Sequence, residues 1–187
     1  MNVILASQSP RRKELMGIFH IPFTVRVADI DETMDPEKAP SQEVARVSRL
    51  KAEAVAREAE DIVIAADTIV VCDREILGKP KDAADARRML QMLSGRTHQV
   101  MTGLTVLQGN RCVSGTEITD VHFRTLSQKE IDDYIATSEP MDKAGAYGVQ
   151  SGAAPFVRGI CGDYYNVVGL PVCRLSQILK EFMEESQ

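Results

Sequence analysis

The run Ile62-Val63-Ile64-Ala65-Ala66-Asp67-Thr68-Ile69-Val70-Val71 limits what this chain can fold into more than any other segment. It is nearly continuously apolar and rich in β-branched residues, so it reads as a buried strand. Glu75-Ile76-Leu77 follows closely enough to return as its hairpin partner. Asp67 is the one ionisable residue in the run. A carboxylate inside a buried strand costs several kcal/mol unless a cation, a metal or a strong hydrogen-bond network offsets it. Asp67 therefore reads as a metal ligand or a general base. The plainer alternative places it at a strand end or bulge, where water solvates it.

Other segments complete an α/β pattern. Val3-Ile4-Leu5-Ala6 reads as a short buried strand and Pro22 to Val27 as a second. Ser41 is positioned to cap a helix reaching about Glu60, and Asp82 one ending near Ser94-Gly95. His98 to Leu107 and Cys112 to Arg124 read as long strands joined at Gly109-Asn110. Ser127-Gln128-Lys129-Glu130 is a capping box for a helix to about Ser138. The stretch from Gly145 to Gly169 predicts short strands and turns, and Pro171 starts a terminal helix. Helices mixed with hairpin strands favour an α/β fold around a mixed sheet.

The chain has 187 residues and is 44% hydrophobic, enough for one domain, or two small lobes, with a real core. A net charge of −5 argues against a general nucleic-acid or membrane binder. Cys72, Cys112, Cys161 and Cys173 lack CxxC spacing and read as reduced thiols of a cytoplasmic protein. The N-terminus lacks the basic region of a signal peptide, and no apolar run approaches the ~20 residues that span a bilayer.

An acidic protein that binds anions must concentrate its positive charge locally. Ser7-Gln8-Ser9-Pro10-Arg11-Arg12 does so where a strand gives way to a helix. Ser9 suits the N-cap and Pro10 the first helical position, and a helix start attracts anions. Arg11 and Arg12 oppose the helix dipole there, which points to a ligand; solvated arginines on a capped surface helix are the alternative. Lys51 lies on the stripe of Val44, Val47, Ala54 and Val55, so its ammonium either reaches a phosphate cleft or snorkels to water. Lys79, held extended by Pro80, either points toward the Asp67 strand or sits in a solvated turn. The loop bearing Asp29, Asp31, Glu32 and Asp35 offers oxygens to a hard cation such as Mg²⁺, although acidic loops are usually only solvated. His20, His98 and His122 lack metal-ligand spacing and read as structural.

Taken together, Ser7 to Arg12, Asp31-Glu32, Lys51, Ala66-Asp67-Thr68, Lys79-Pro80, Ser94-Gly95, Asp142 to Gln150 and Asn166 to Pro171 resemble the Maf family of nucleotide pyrophosphatases along essentially the whole chain. The resemblance implies an inosine-triphosphate-pyrophosphatase-like fold: an elongated mixed sheet flanked by helices, with a deep cleft between two lobes. It implies hydrolysis of a nucleoside triphosphate to the monophosphate and pyrophosphate with a divalent cation, Mg²⁺ or Mn²⁺. Asp67 would be the general base and, with Glu32, would hold the metal. Ser7, Arg11, Arg12, Lys51, Thr68, Lys79 and Gln150 would contact substrate. Arg12, Thr68 and Gln150 resemble the subgroup acting on dTTP and UTP. One departure is Gly78, where some relatives carry Glu. The rivals are the same reaction on a modified purine nucleotide such as 7-methyl-GTP, and a nucleotide-binding regulator of septum formation. No nucleic-acid polymer or membrane is expected as partner, and a homodimer is left open.

Overall fold

In the computed structural model, which describes residues 1–27 and 29–184, the apolar run forms β3 (Ile62–Cys72), buried along nearly its whole length. It belongs to a seven-stranded sheet with β1 (Val3–Leu5), β2 (Phe23–Val25), β4 (Glu75–Leu77), β5 (Thr97–Gln108), β6 (Arg111–Phe123) and β7 (Val157–Cys161). The hydrogen-bonded order is β2-β1-β3-β5-β6-β7, with β4 added to β3. β1 runs parallel to both β2 and β3, whereas β4 and β7 pair antiparallel to β3 and β6. The sheet is mixed, as the alternation of helices and hairpins implied.

The helices are α1 (Pro10–Gly17), α2 (Pro40–Val55), α3 (Ala83–Leu93), α4 (Gln128–Ala136), α5 (Tyr164–Val168) and α6 (Val172–Glu184). Ser9 caps α1, Asp82 caps α3, and Ser127 with Glu130 closes a full capping box on α4. Two boundaries depart from expectation. Ala39 stands at the N-cap of α2 without a side-chain bond, because Pro40 occupies the first helical position and draws Ser41 inside. The same helix ends at Val55 rather than near Glu60, since residues 56–60 are all exposed and add nothing to the buried face. α5 was not expected within the Gly-rich stretch.

The described chain divides into two units. The first comprises Met1–Asp67, Thr102–Glu117 and Gly169–Gln187 as far as they are described; the second comprises Thr68–Met101 and Ile118–Val168. In the first, Ile4, Ala6, Ala52, Val55, Val63 and Ala65 pack together, with Leu107 against them. α2 lies on β5: Ser48 and Thr105 share a hydroxyl hydrogen bond of 2.8 Å, and a Cβ on Gly103 would fall 2.2 Å from the Val44 carbonyl oxygen. Only glycine permits that approach, and it sets the depth of the α2 face that carries Lys51. In the second unit, α3 and α4 supply Met89, Leu90, Leu93, Ile131 and Tyr134 to a core shared with Val70, Val121, Phe123 and Tyr147. Among the described residues no helix is long and apolar enough to cross a membrane.

Candidate active site

The site of the first unit is built by register. β1 and β3 run parallel with Leu5 opposite Ile64, so both strands deliver their next residues, Ser7 and Asp67, toward the same end of the sheet. The pairing continues through Ala6, whose N–H donates to the Ile64 carbonyl at 2.8 Å. Asp67 is internal to β3 and 8% exposed, so it is neither at a strand end nor simply solvated.

Lys51 supplies the cation that such a carboxylate requires. Its Nζ donates to Asp67 Oδ1 at 2.6 Å and lies 3.0 Å from Glu32 Oε2. The α2 stripe that buries it is Val44, Val47, Ser48, Lys51, Ala52 and Val55; Ala54, expected on this face, is exposed. Lys51 does not snorkel. Glu32 is exposed on its loop and reaches in only with its carboxylate. Arg46 and Arg49 pair elsewhere, with Glu43 and Glu53.

The helix start is organised around Arg12. Ser9 Oγ accepts from the Arg12 backbone N–H, and Ser7 Oγ accepts from the Ser9 N–H at 3.2 Å and from Arg12 Nη1 at 3.3 Å. Arg12 Nε donates to the Gly169 carbonyl at 2.7 Å. Desolvation draws the guanidinium below its ordinary pKa; Asp67 and Glu32 oppose that, and Arg11 adds to it. Arginine remains charged at neutral pH through shifts of this kind. In the sequence the Gly169 carbonyl is marked only as part of a longer motif. Its signal was the Asn166 to Pro171 run, in which Gly169 takes a φ of +122°.

Ser7, Arg12, Glu32, Lys51 and Asp67 are thus brought together in the first unit, with Arg11 acting through its charge on Arg12. Thr68, Lys79 and Gln150 belong to the second. Thr68 is half-buried on β3; Lys79 and Gln150 are exposed. Lys79 lies at a bend next to Pro80. Its neighbour Gly78 accepts a hydrogen bond of 3.0 Å from the Gly145 N–H, which ties that bend to the segment leading to Gln150. His98 bonds Tyr147 at 2.8 Å and His122 bonds Thr97 at 2.6 Å, so both act as structural residues of the second unit, whereas His20 is exposed.

Two carboxylates on one ammonium form a donor set that suits a hard divalent cation. Mg²⁺ is usually held by one or two carboxylates together with substrate phosphates, rather than by a closed protein cage. No cluster of three or more His, Cys, Asp or Glu that could hold a metal occurs among the described residues.

The family described as Maf-like protein matches residues 2–182. The dTTP/UTP pyrophosphatase of Bacillus cytotoxicus is 52% identical over 180 residues, covering 96% of this chain and 94% of that protein. A dTTP/UTP pyrophosphatase of Bacillus cereus is 49% identical over 181 residues, covering 96% of this chain and 95% of that protein. Among solved structures, a HAM1 protein from Coxiella burnetii aligns over 97% of this chain and 99% of its own, with a TM-score of 0.51 and 17% identity. At that identity the likeness concerns the fold alone, and the fold is of the expected kind.

Proposed function

The chain belongs to the Maf-like family, and from that premise we propose that it hydrolyses dTTP and UTP to the monophosphate and pyrophosphate. The observation that carries the reading is the buried Lys51–Asp67 pair with Glu32 on the same ammonium and Arg12 close enough to feel both carboxylates. Without a metal, carboxylates beside the phosphates repel them, which a protein that only held a nucleotide has no need of.

A triphosphate brings about four negative charges near neutral pH, and Arg11, Arg12 and Lys51 are the cations this unit offers against them. Ser7 and Ser9 hold Arg12 in place at a helix start, where backbone N–H groups face an anion. A water attacks the α-phosphorus, the bond to the bridging oxygen of the β-phosphate breaks, and pyrophosphate departs. Asp67 orients that water and accepts its proton. Lys51 keeps the carboxylate in position until substrate arrives and then serves the phosphates. Glu32 and Asp67 would hold a divalent cation, Mg²⁺ or Mn²⁺, which when bound would neutralise phosphate charge and stabilise the transition state.

Gln150 carries both an amide donor and a carbonyl acceptor, matching the N–H and C=O edge that uracil and thymine share. The two bases differ by one methyl group, worth about 1–3 kcal/mol of discrimination, so both are accepted. Pyrophosphate release from dTTP, UTP, CTP, GTP and 7-methyl-GTP tests the reading. Preference for the first two supports it; preference for a purine nucleotide, or binding without turnover, overturns it.

A further inference from the structure

The segment that presents Gln150 is held from behind by two residues that no part of the chemistry above uses. Tyr134, on α4, accepts a hydrogen bond from the Gly148 N–H at 3.1 Å and donates its own proton to Glu139 Oε1 at 2.8 Å. The Glu139 carboxylate also accepts from Ser151 Oγ at 2.5 Å and from the Gly152 N–H at 3.2 Å. Two residues before Gln150 and one and two residues after it, the chain is therefore tied to one Tyr–Glu pair. Gln150 itself is exposed at the tip of the resulting turn, which the Ser151 N–H closes on the Gly148 carbonyl at 3.3 Å.

The anchor is itself fixed. Tyr134 is buried, and its ring packs edge-on against Phe156 at 5.3 Å. The Glu139 backbone N–H donates to the Thr137 hydroxyl at 3.2 Å, and the Glu139 carbonyl accepts from Lys143 Nζ at 2.7 Å. A Cβ on Gly152 would fall 2.9 Å from the Tyr134 ring and 3.0 Å from Glu139 Oε2, so the loop lies directly on the pair. Burial raises the pKa of the Glu139 carboxyl, but the bonds from Ser151, Tyr134 and Gly152 and the charge of Lys143 outweigh it. The carboxylate stays ionised and keeps its acceptor capacity at neutral pH.

We propose that Glu139 and Tyr134 are positioning residues for base selection: they fix the backbone of the Gly148–Gly152 turn so that the Gln150 amide meets the pyrimidine edge in one orientation. The inference rests on the reading of Gln150 given under Proposed function. Selectivity by hydrogen bonding demands a fixed donor and acceptor, because a mobile amide pairs with any base edge.

The test compares Glu139→Ala, Glu139→Gln and Tyr134→Phe with the wild type, each checked for folding by circular dichroism. Steady-state kinetics on dTTP, UTP and GTP are measured alongside hydrogen exchange at the Gly148 and Gly152 amides. In Glu139→Ala those amides exchange faster while α4 stays protected. KM for dTTP and UTP rises about fivefold or more, kcat stays within about twofold, and the preference over GTP narrows by about tenfold. Glu139→Gln keeps a carbonyl acceptor for Tyr134 and Ser151 and recovers part of the preference. Tyr134→Phe, which keeps the ring but loses the hydroxyl that bridges Gly148 and Glu139, changes in the same direction and by less; these two variants decide the matter if Glu139→Ala does not fold. Unchanged exchange overturns the clamp. Faster exchange with unchanged KM and preference overturns its role in base choice, as does a fall in kcat with KM intact. A wild type that releases no pyrophosphate from dTTP or UTP overturns the reading of Gln150 instead, while the exchange data report on the clamp separately.

Discussion

Replacing Lys51 by Met removes the ammonium from the buried pair and leaves Asp67 without its ion partner. The Met side chain refills most of the volume of the lysine stem, so the cost is electrostatic rather than a cavity. In the wild type the pair is 2.6 Å apart, with side chains 10% and 12% exposed. Removing one member of a buried pair costs about 3–5 kcal/mol, because the remaining charge is stranded. The charge of Arg12 still acts on Asp67 and some solvent reaches it, so we place the loss at the lower end, about 3 kcal/mol. For a chain of this length that corresponds to a fall in Tm of about 6–12 °C. The double variant Lys51→Met/Asp67→Asn replaces the stranded charge by a neutral amide and recovers about 2 kcal/mol of the loss. The assay is urea and thermal unfolding of the wild type, Lys51→Met, Asp67→Asn and the double variant as a cycle. A Lys51→Met protein melting within a degree of wild type, or a double variant whose loss is the sum of the single losses, refutes the reasoning.

Arg12→Ala removes the bonds to the Gly169 carbonyl and Ser7 Oγ together with a phosphate-facing charge; at about 1.5–3 kcal/mol, kcat/KM for dTTP falls by about 10- to 150-fold. Gln150→Glu loses the amide donor and adds a negative charge, and kcat/KM for dTTP and UTP falls by about tenfold or more in the same steady-state assay. Stability also depends on pH. Burial, and then the charge of His122, lowers His98 to about 4, while an unfolded chain protonates it near its ordinary value of 6.5. The unfolded state therefore binds the extra proton first, and stability drops by about 3 kcal/mol as pH falls from 6.5 to 4. Glu43 and Glu130, held at about 2 by bonds from Arg46 and Arg124, extend the loss below their unfolded value of 4.5. Urea midpoints across pH 3–8 read this out, and a His98→Gln variant with the same slope between pH 6.5 and 4 contradicts it.

Local chemistry made much of this structure legible. The 62–71 run, its hairpin and the caps at Ser9, Asp82 and Ser127 follow from side chains acting on their own neighbours. The end of α2 at Val55 does not, because residues 56–60 favour a helix locally yet bury no side chain that would hold them in one. The sequence marked Asp67 as needing a cation and Lys51 as sitting on an apolar face. Their pairing depends on how α2 lies on β5, which no spacing of 16 residues reveals. Glu139 and Tyr134 carried no signal at all: a glutamate before Pro140 and a tyrosine on a helical stripe look ordinary until the turn they hold is seen.

The most direct test of the central claim is pyrophosphate release by the wild type and Asp67→Asn, with dTTP and UTP as substrates and Mg²⁺ present. The amide keeps the shape of the carboxylate but cannot accept the proton of the attacking water. The wild type is expected to release equimolar monophosphate and pyrophosphate, and turnover is expected to be lower by at least about a thousandfold in a variant that remains folded and binds nucleotide. A folded Asp67→Asn protein with near wild-type kcat contradicts it.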